Sequence, residues 1–199
     1  MIAQARTRGW RLLQGAAIGL VVVLLALLVW SLINGSGGTK LVAAIRSHER
    51  PEAPSFRLPV LWQHTDTWPA SLRSAAADGR IALRELRGYP VVLNFWASWC
   101  IPCKREAGTF AAIARSHRGQ VVFIGIDAED TQSAGRRFLS HYDIPYVSLS
   151  DVGIRAVSAY GLVGLPETFY LDGRSRVIRH DIGEVYRAKL ARGLAAIMK

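Results

Sequence analysis

Residues 15–33 read GAAIGLVVVLLALLVWSLI, 19 consecutive positions without a charged side chain. As a helix rising about 1.5 Å per residue this run reaches roughly 28 Å, close to the thickness of a bilayer core. A cleaved leader would have a shorter apolar region, roughly 7–15 residues, followed by a small-x-small site. Trp30-Ser31-Leu32-Ile33 offers no such site, and no cysteine stands near its end to be lipidated. With Leu12 and Leu13 added, residues 12–33 are expected to form one uncleaved transmembrane anchor preceding the folded part of the chain. Arg6, Arg8 and Arg11 lie before the span and only Lys40 shortly after it. That asymmetry puts residues 1–11 on the cytoplasmic side of a cell (inner) membrane, with the remainder extracytoplasmic.

Asn34-Gly35-Ser36-Gly37-Gly38-Thr39 has the composition of a flexible tether. Pro51 and Pro54 interrupt any helix over 40–48, so the tether is set at 34–52 and the folded domain at 53–199. The chain of 199 residues is half hydrophobic with 20% charged residues, which excludes disorder or a disulfide-dense miniprotein as a description of the whole. Its net charge of +10 invites a nucleic-acid reading. Arg6, Arg8, Arg11 and Lys40 belong to the anchor, however, and without them 21 basic residues face 15 acidic ones. What remains has no basic run longer than Arg136-Arg137 and no basic stripe interleaved with aromatics, so no nucleic-acid partner is expected.

Pro90–Trp96 and Val121–Ile126 are compact apolar runs of strand length, of the kind covered on both faces. Between them Ala107, Phe110, Ala111, Ile113 and Ala114 recur at helical spacing over 101–117, which makes a strand–helix–strand unit with parallel strands. A helix capped by Thr131 follows over 131–141, then a short strand at 146–149 and a weaker helix at 152–159. A hairpin of 167–171 and 176–180 turns at Asp172-Gly173, and a last helix covers 184–198. This order describes an α/β domain in three layers with a mixed central sheet. The tract 59–80 fits none of these elements and reads as an irregular lead-in.

Both cysteines fall in Trp99-Cys100-Ile101-Pro102-Cys103, directly after an apolar strand and directly before a helix. A thiol at a helix N-terminus meets unpaired backbone N–H groups and the positive end of the helix dipole, which favour thiolate. Cys100 is therefore the expected nucleophile, and Cys103 is placed to resolve a mixed disulfide. A structural role is weak, because closing a two-residue gap removes little chain entropy. A zinc site is weak as well, since His48, His64, His117, His141 and His180 are scattered without ligand spacing.

Phe95-Trp96-Ala97-Ser98-Trp99-Cys100-Ile101-Pro102-Cys103 resembles the active-site signature of thioredoxin-fold proteins, and Gly164-Leu165-Pro166-Glu167-Thr168-Phe169 resembles their loop bearing a cis-proline. More narrowly, residues 53–197 are similar to the membrane-anchored TlpA/ResA/CcmG (DsbE) branch of thiol:disulfide oxidoreductases associated with cytochrome c maturation. The resemblance implies a thioredoxin-like fold, a redox-active Cys100/Cys103 pair, and a cis peptide before Pro166. Trp99, Pro102, Leu165, Pro166 and Glu167 would then face the client. Thioredoxins carry a buried aspartate where this chain has Asn94, so another proton acceptor is required. Glu106 matches the glutamate of ResA-like proteins in the turn after Cys103; an ordinary solvated glutamate beside Lys104 or Arg105 is the alternative. Glu167 matches the Pro-Glu-Thr-Phe of CcmG-like members, where it would lie beside the disulfide, or else is a plain strand-end carboxylate. Gly108 departs from the proline usual at its position in ResA-like helices.

The implied activity is reduction of client disulfides, with apocytochrome c as the foremost client. Electrons would come from a membrane donor of CcdA/DsbD type, because the compartment outside the cytoplasm is oxidising. The dithiol itself needs no cofactor and no metal. The alternatives are a general exchange enzyme or an oxidant of secreted proteins, and a non-catalytic haem or apocytochrome docking module. Ala53-Pro54-Ser55-Phe56 is shared with peroxiredoxin-like proteins, but no isolated peroxidatic cysteine accompanies it.

Overall fold

The computed structural model describes residues 2–33 and 37–199, with side chains over 14–30 and 38–199. The chain divides into two compact units, one up to residue 36 and one from Gly37 to Lys199. In the first unit α1 (Ile2–Ile33) is one continuous helix. Its described side chains are exposed throughout, including Leu20, Val22, Leu24, Leu28 and Trp30. Among the described residues no helix is long and apolar enough to cross a membrane. The expected span of 12–33 lies partly outside the described side chains, and Asn34, Gly35 and Ser36 lie outside the described residues altogether.

The second unit is built on a seven-stranded sheet ordered β2-β1-β5-β4-β3-β6-β7. Its centre is the pair expected from the two apolar runs. β3 (Val91–Trp96) and β4 (Val122–Ala128) are parallel and buried at every position, and α3 (Ile101–Ser116) crosses between them. β5 (Val147–Asp151) adds parallel to β4. β6 (Glu167–Leu171) and β7 (Val177–Ile182) form the antiparallel hairpin, with β6 also antiparallel to β3. The sheet is mixed, as expected.

Side chains alternate across each strand, so β3 feeds two cores. Val91, Leu93 and Phe95 join Tyr160 and Phe169 beneath α2 (Gly37–Arg46) and α5 (Arg155–Tyr160). Val92 and Trp96 join Phe110 and Ala111 of α3, Phe138 of α4 (Gln132–His141) and Leu190 and Leu194 of α6 (Arg187–Ile197). The three layers follow from this. All five apolar residues that set the α3 period are buried, and the helix runs unbroken through Gly108. Thr131 caps α4 by accepting from Ala134 N–H at 3.3 Å.

Two expectations need correction. The tether expected over 34–52 does not extend over its described part, because Gly37–Arg46 is helical and belongs to the compact unit. Leu41 is buried in the core, and a Cβ on Gly38 would overlap the backbone of Gly161, so glycine permits a close approach to the end of α5. Pro51 and Ala53 then pair with the 175–177 backbone. The tract 59–80 is also not an irregular lead-in. β1 (Arg57–Trp62) inserts antiparallel between β5 and β2 (Arg80–Ala82), with a 3₁₀ turn at Ala70–Ala76. Its apolar signal is masked by Pro59 and by a register shift between Val60 and Trp62. Trp68 anchors the tract, fully buried, with its indole donating to Phe123 O at 3.3 Å.

Candidate active site

The sheet delivers β3 into the turn 97–100, and Cys100 becomes the N-cap of α3. Cys100 and Cys103 are joined as a disulfide, and the backbone N–H of Cys103 points at Cys100 Sγ at 3.2 Å. That is the donor arrangement expected to favour a Cys100 thiolate once the pair is reduced. Pro102 sits in the first turn of α3, where its missing N–H leaves no helical bond unmade. Cys100 is 4% exposed and Cys103 1%, so the sulfurs are reached from one rim only. Trp99 forms that rim, 57% exposed, with its indole N–H 3.4 Å from Glu129 O.

Leu165–Pro166 is cis. Leu165 packs against the cluster holding both cysteines, and with Trp99, Leu162, Val163 and Gly164 it lines a groove of about 270 Å³. The structure therefore gathers Trp99, Cys100, Cys103 and Leu165 at one edge, with Pro166 buried behind them.

Glu106 is not a solvated helix residue. It is 2% exposed, while its neighbour Arg105 turns outward to Glu184 at 2.6 Å. Glu106 accepts from Asn94 Nδ2 at 2.8 Å and from Val185 N–H at 2.7 Å. Burial pushes its carboxyl up to about 7, overcoming the two hydrogen bonds that favour the anion. Asn94, at the position of the thioredoxin-type acid, thus contacts the Glu106 carboxylate, and also donates to Thr168 Oγ1 at 3.2 Å.

Glu167 is equally buried, but its side chain shares the sheet face of Phe169 and Leu171, opposite that of Thr168, Asn94 and Glu106. Its partners are Val163 N–H, Gly164 N–H and His180 Nε2, and neither cysteine is among them. The expected place beside the disulfide is corrected accordingly: strand alternation turns the carboxylate to the far face, where it ties the loop before Pro166 to β7.

Two residues escaped the sequence reading. His180 was one of five scattered histidines, and only the β6–β7 pairing brings it to Glu167. Asp127 ends the apolar β4, where an acid in such a run was the available signal. It is 2% exposed, its Oδ1 makes no hydrogen bond, and burial, with Asp130 nearby, raises it to about 8.

A disulfide-linked cysteine pair at the start of a helix that follows a buried parallel strand, with a cis-proline loop packed beside it, is the arrangement of the thioredoxin fold. The chain belongs to the AhpC/TSA family, whose profile matches residues 51–180. It is 31% identical over 112 residues to the thiol-disulfide oxidoreductase ResA of Bacillus cereus, covering 56% of this chain and 65% of that one. It is 32% identical over 133 residues to the thiol:disulfide interchange protein HelX of Rhodobacter capsulatus, covering 66% of each. Among solved structures, a thiol:disulfide interchange protein of the thioredoxin family from Chlorobium tepidum superposes with a TM-score of 0.60 at 23% identity, over 76% of this chain and 98% of that one. The last likeness carries the fold alone.

Proposed function

We propose that this chain is an extracytoplasmic thiol:disulfide oxidoreductase that reduces client disulfides, with the haem-attachment cysteines of apocytochrome c as the foremost client. The carrying observation is the Cys100–Cys103 pair at the α3 N-terminus with Cys103 N–H aimed at Cys100 Sγ. In the reduced protein the Cys100 thiolate attacks a client disulfide, forming a mixed disulfide and releasing one client thiolate. Cys103 gives up its proton, attacks Cys100 Sγ and releases the second client thiol. Two electrons pass to the client and the Cys100–Cys103 disulfide closes.

Glu106 is proposed as the acceptor of the Cys103 proton. A carboxyl raised to about 7 is poised between proton donor and acceptor near neutral pH. Trp99, Pro102 and Leu165 are proposed as the client-facing rim, with Pro166 buried behind it. Re-reduction by a membrane dithiol carrier of CcdA/DsbD type and anchorage through residues 12–33, with residues 1–11 cytoplasmic, complete the reading. The anchor is supported by the uncharged run 15–33 and by the exposure of its described apolar side chains.

Insulin-disulfide reduction by the full chain in detergent tests the activity. Wild type is expected to reduce insulin and Cys100→Ser to fall to background; equal rates would leave the docking-module reading standing. Measurement of the redox potential separates reductase from oxidant, since about 30 mV shifts the equilibrium tenfold. Carbonate extraction of membranes tests the anchor, and recovery of the chain in the soluble fraction would overturn it.

A further inference from the structure

His180 lies in β7 with its side chain 6% exposed. Its ring stacks on Phe169 at a centroid separation of 4.0 Å and an interplanar angle of 11°. Nε2 meets Glu167 Oε2 at 2.7 Å. The other oxygen of the same carboxylate accepts from the backbone N–H groups of Val163 at 2.8 Å and Gly164 at 3.2 Å. A continuous chain of polar contacts therefore runs from a stacked ring in one strand, through a buried carboxylate in the next, to two successive peptide groups just before Leu165. If the carboxylate turned away, two half-buried loop amides and an imidazole would lose the one group that joins them.

Those two peptide groups belong to the wall of the client groove. Val163 and Gly164 line it with Trp99, Val157, Leu162 and Leu165, and Glu129 is its one ionisable lining residue. Val163 is 76% exposed and Trp99 57%, so this apolar wall is open to an incoming chain beside Cys100. A groove of about 270 Å³ with this lining fits one large apolar side chain.

We infer that His180 is a positioning residue for client recognition: through Glu167 it holds the 163–164 backbone so that the groove accepts an apolar side chain flanking the client's cysteine. The inference rests on the oxidoreductase reading above and deepens it by assigning the class of client segment. His180 touches neither sulfur, so it acts on binding and leaves the chemistry of the thiols alone.

The test uses the full chain in detergent with two substrates. One is a peptide disulfide with leucine beside each cysteine; the other is oxidised glutathione, which carries no large apolar side chain. His180→Phe keeps a ring against Phe169 and removes the donor. It is expected to raise KM for the peptide about tenfold, the loss of one hydrogen bond, with kcat and glutathione turnover within about twofold of wild type. His180→Gln restores a donor at similar reach and is expected to recover most of the peptide KM. Should His180→Phe unfold the chain, His180→Asn, too short to reach the carboxylate, is expected to show the same split between substrates. An unchanged peptide KM in an active variant, or equal slowing of both substrates, overturns the assignment of His180. A wild type inactive on both substrates overturns the oxidoreductase reading instead. In that case a leucine-flanked peptide with its cysteines replaced by serine is titrated against wild type and His180→Phe, and equal affinities overturn the positioning role as well.

Discussion

Two buried glutamates lie on opposite faces of the sheet, and they are held in different ways. Glu106, on the α3 face, accepts from one side-chain amide and one backbone N–H, both neutral and fixed. Glu167, on the far face, accepts from two amides of a loop and from an imidazole. At Glu106 one partner, Asn94, lies in β3 and the other, Val185, is a buried residue of the loop between β7 and α6, and burial lifts the carboxyl to about 7. At Glu167 two partners are loop amides, and what the carboxylate controls is where the loop lies. Burial alone does not distinguish the two carboxylates; their partners do, a side-chain amide and a buried N–H at one, an exposed loop and an imidazole at the other.

The largest expected effect separates the two directly. Glu106→Gln should slow release of client from a mixed disulfide on Cys100 by about 10²-fold, the lower end for loss of a general base, as followed by single-turnover quench. The same carboxyl sets a pH dependence of stability. Its pKa is raised in the folded state, so the folded chain holds the proton more tightly. Stability is therefore full below about 4.5 and is lost as pH rises through about 7, by about 3 kcal/mol for this group. Urea midpoints between pH 4.5 and 7.5 should fall in wild type and fall less in Glu106→Gln. A residual slope of the same sign should come from Asp127, raised to about 8. Identical slopes in the two proteins would erase the contrast.

Glu167→Ala should leave the Val163 and Gly164 amides without their acceptor and lower stability by about 1–3 kcal/mol in urea unfolding. Its release step should keep the wild-type rate; a slowing like that of Glu106→Gln would make the two carboxylates equivalent. Thr131→Ala removes a helix cap remote from both, and should lower stability by about 1 kcal/mol with no change in either kinetic step.

Much of this was written in periodicity. The apolar runs at 91–96 and 122–126 and the helical spacing of Ala107, Phe110 and Ala114 announce a parallel strand–helix–strand unit, because burial on both faces demands them. Trp99-Cys100-Ile101-Pro102-Cys103 marks the disulfide and its place at a helix start. The resemblance supplied the cis bond before Pro166, which spacing alone does not encode. The tract 59–80 was not legible, since a short strand containing Pro59 earns its place only by pairing with β5 and β2. The helix at 37–46 was hidden for a similar reason: its glycine-rich start reads as tether until Gly38 is seen against Gly161.

The sequence by itself determined the cysteine pair and its place at a helix start, because both cysteines and the start of α3 are neighbours along the chain and local geometry brings them together. Tertiary structure alone decided what each carboxylate meets. Glu106 meets Asn94 and Val185, and Glu167 meets His180, across separations of 12, 79 and 13 residues. Desolvation and strand alternation set those meetings, and both depend on how distant segments stack.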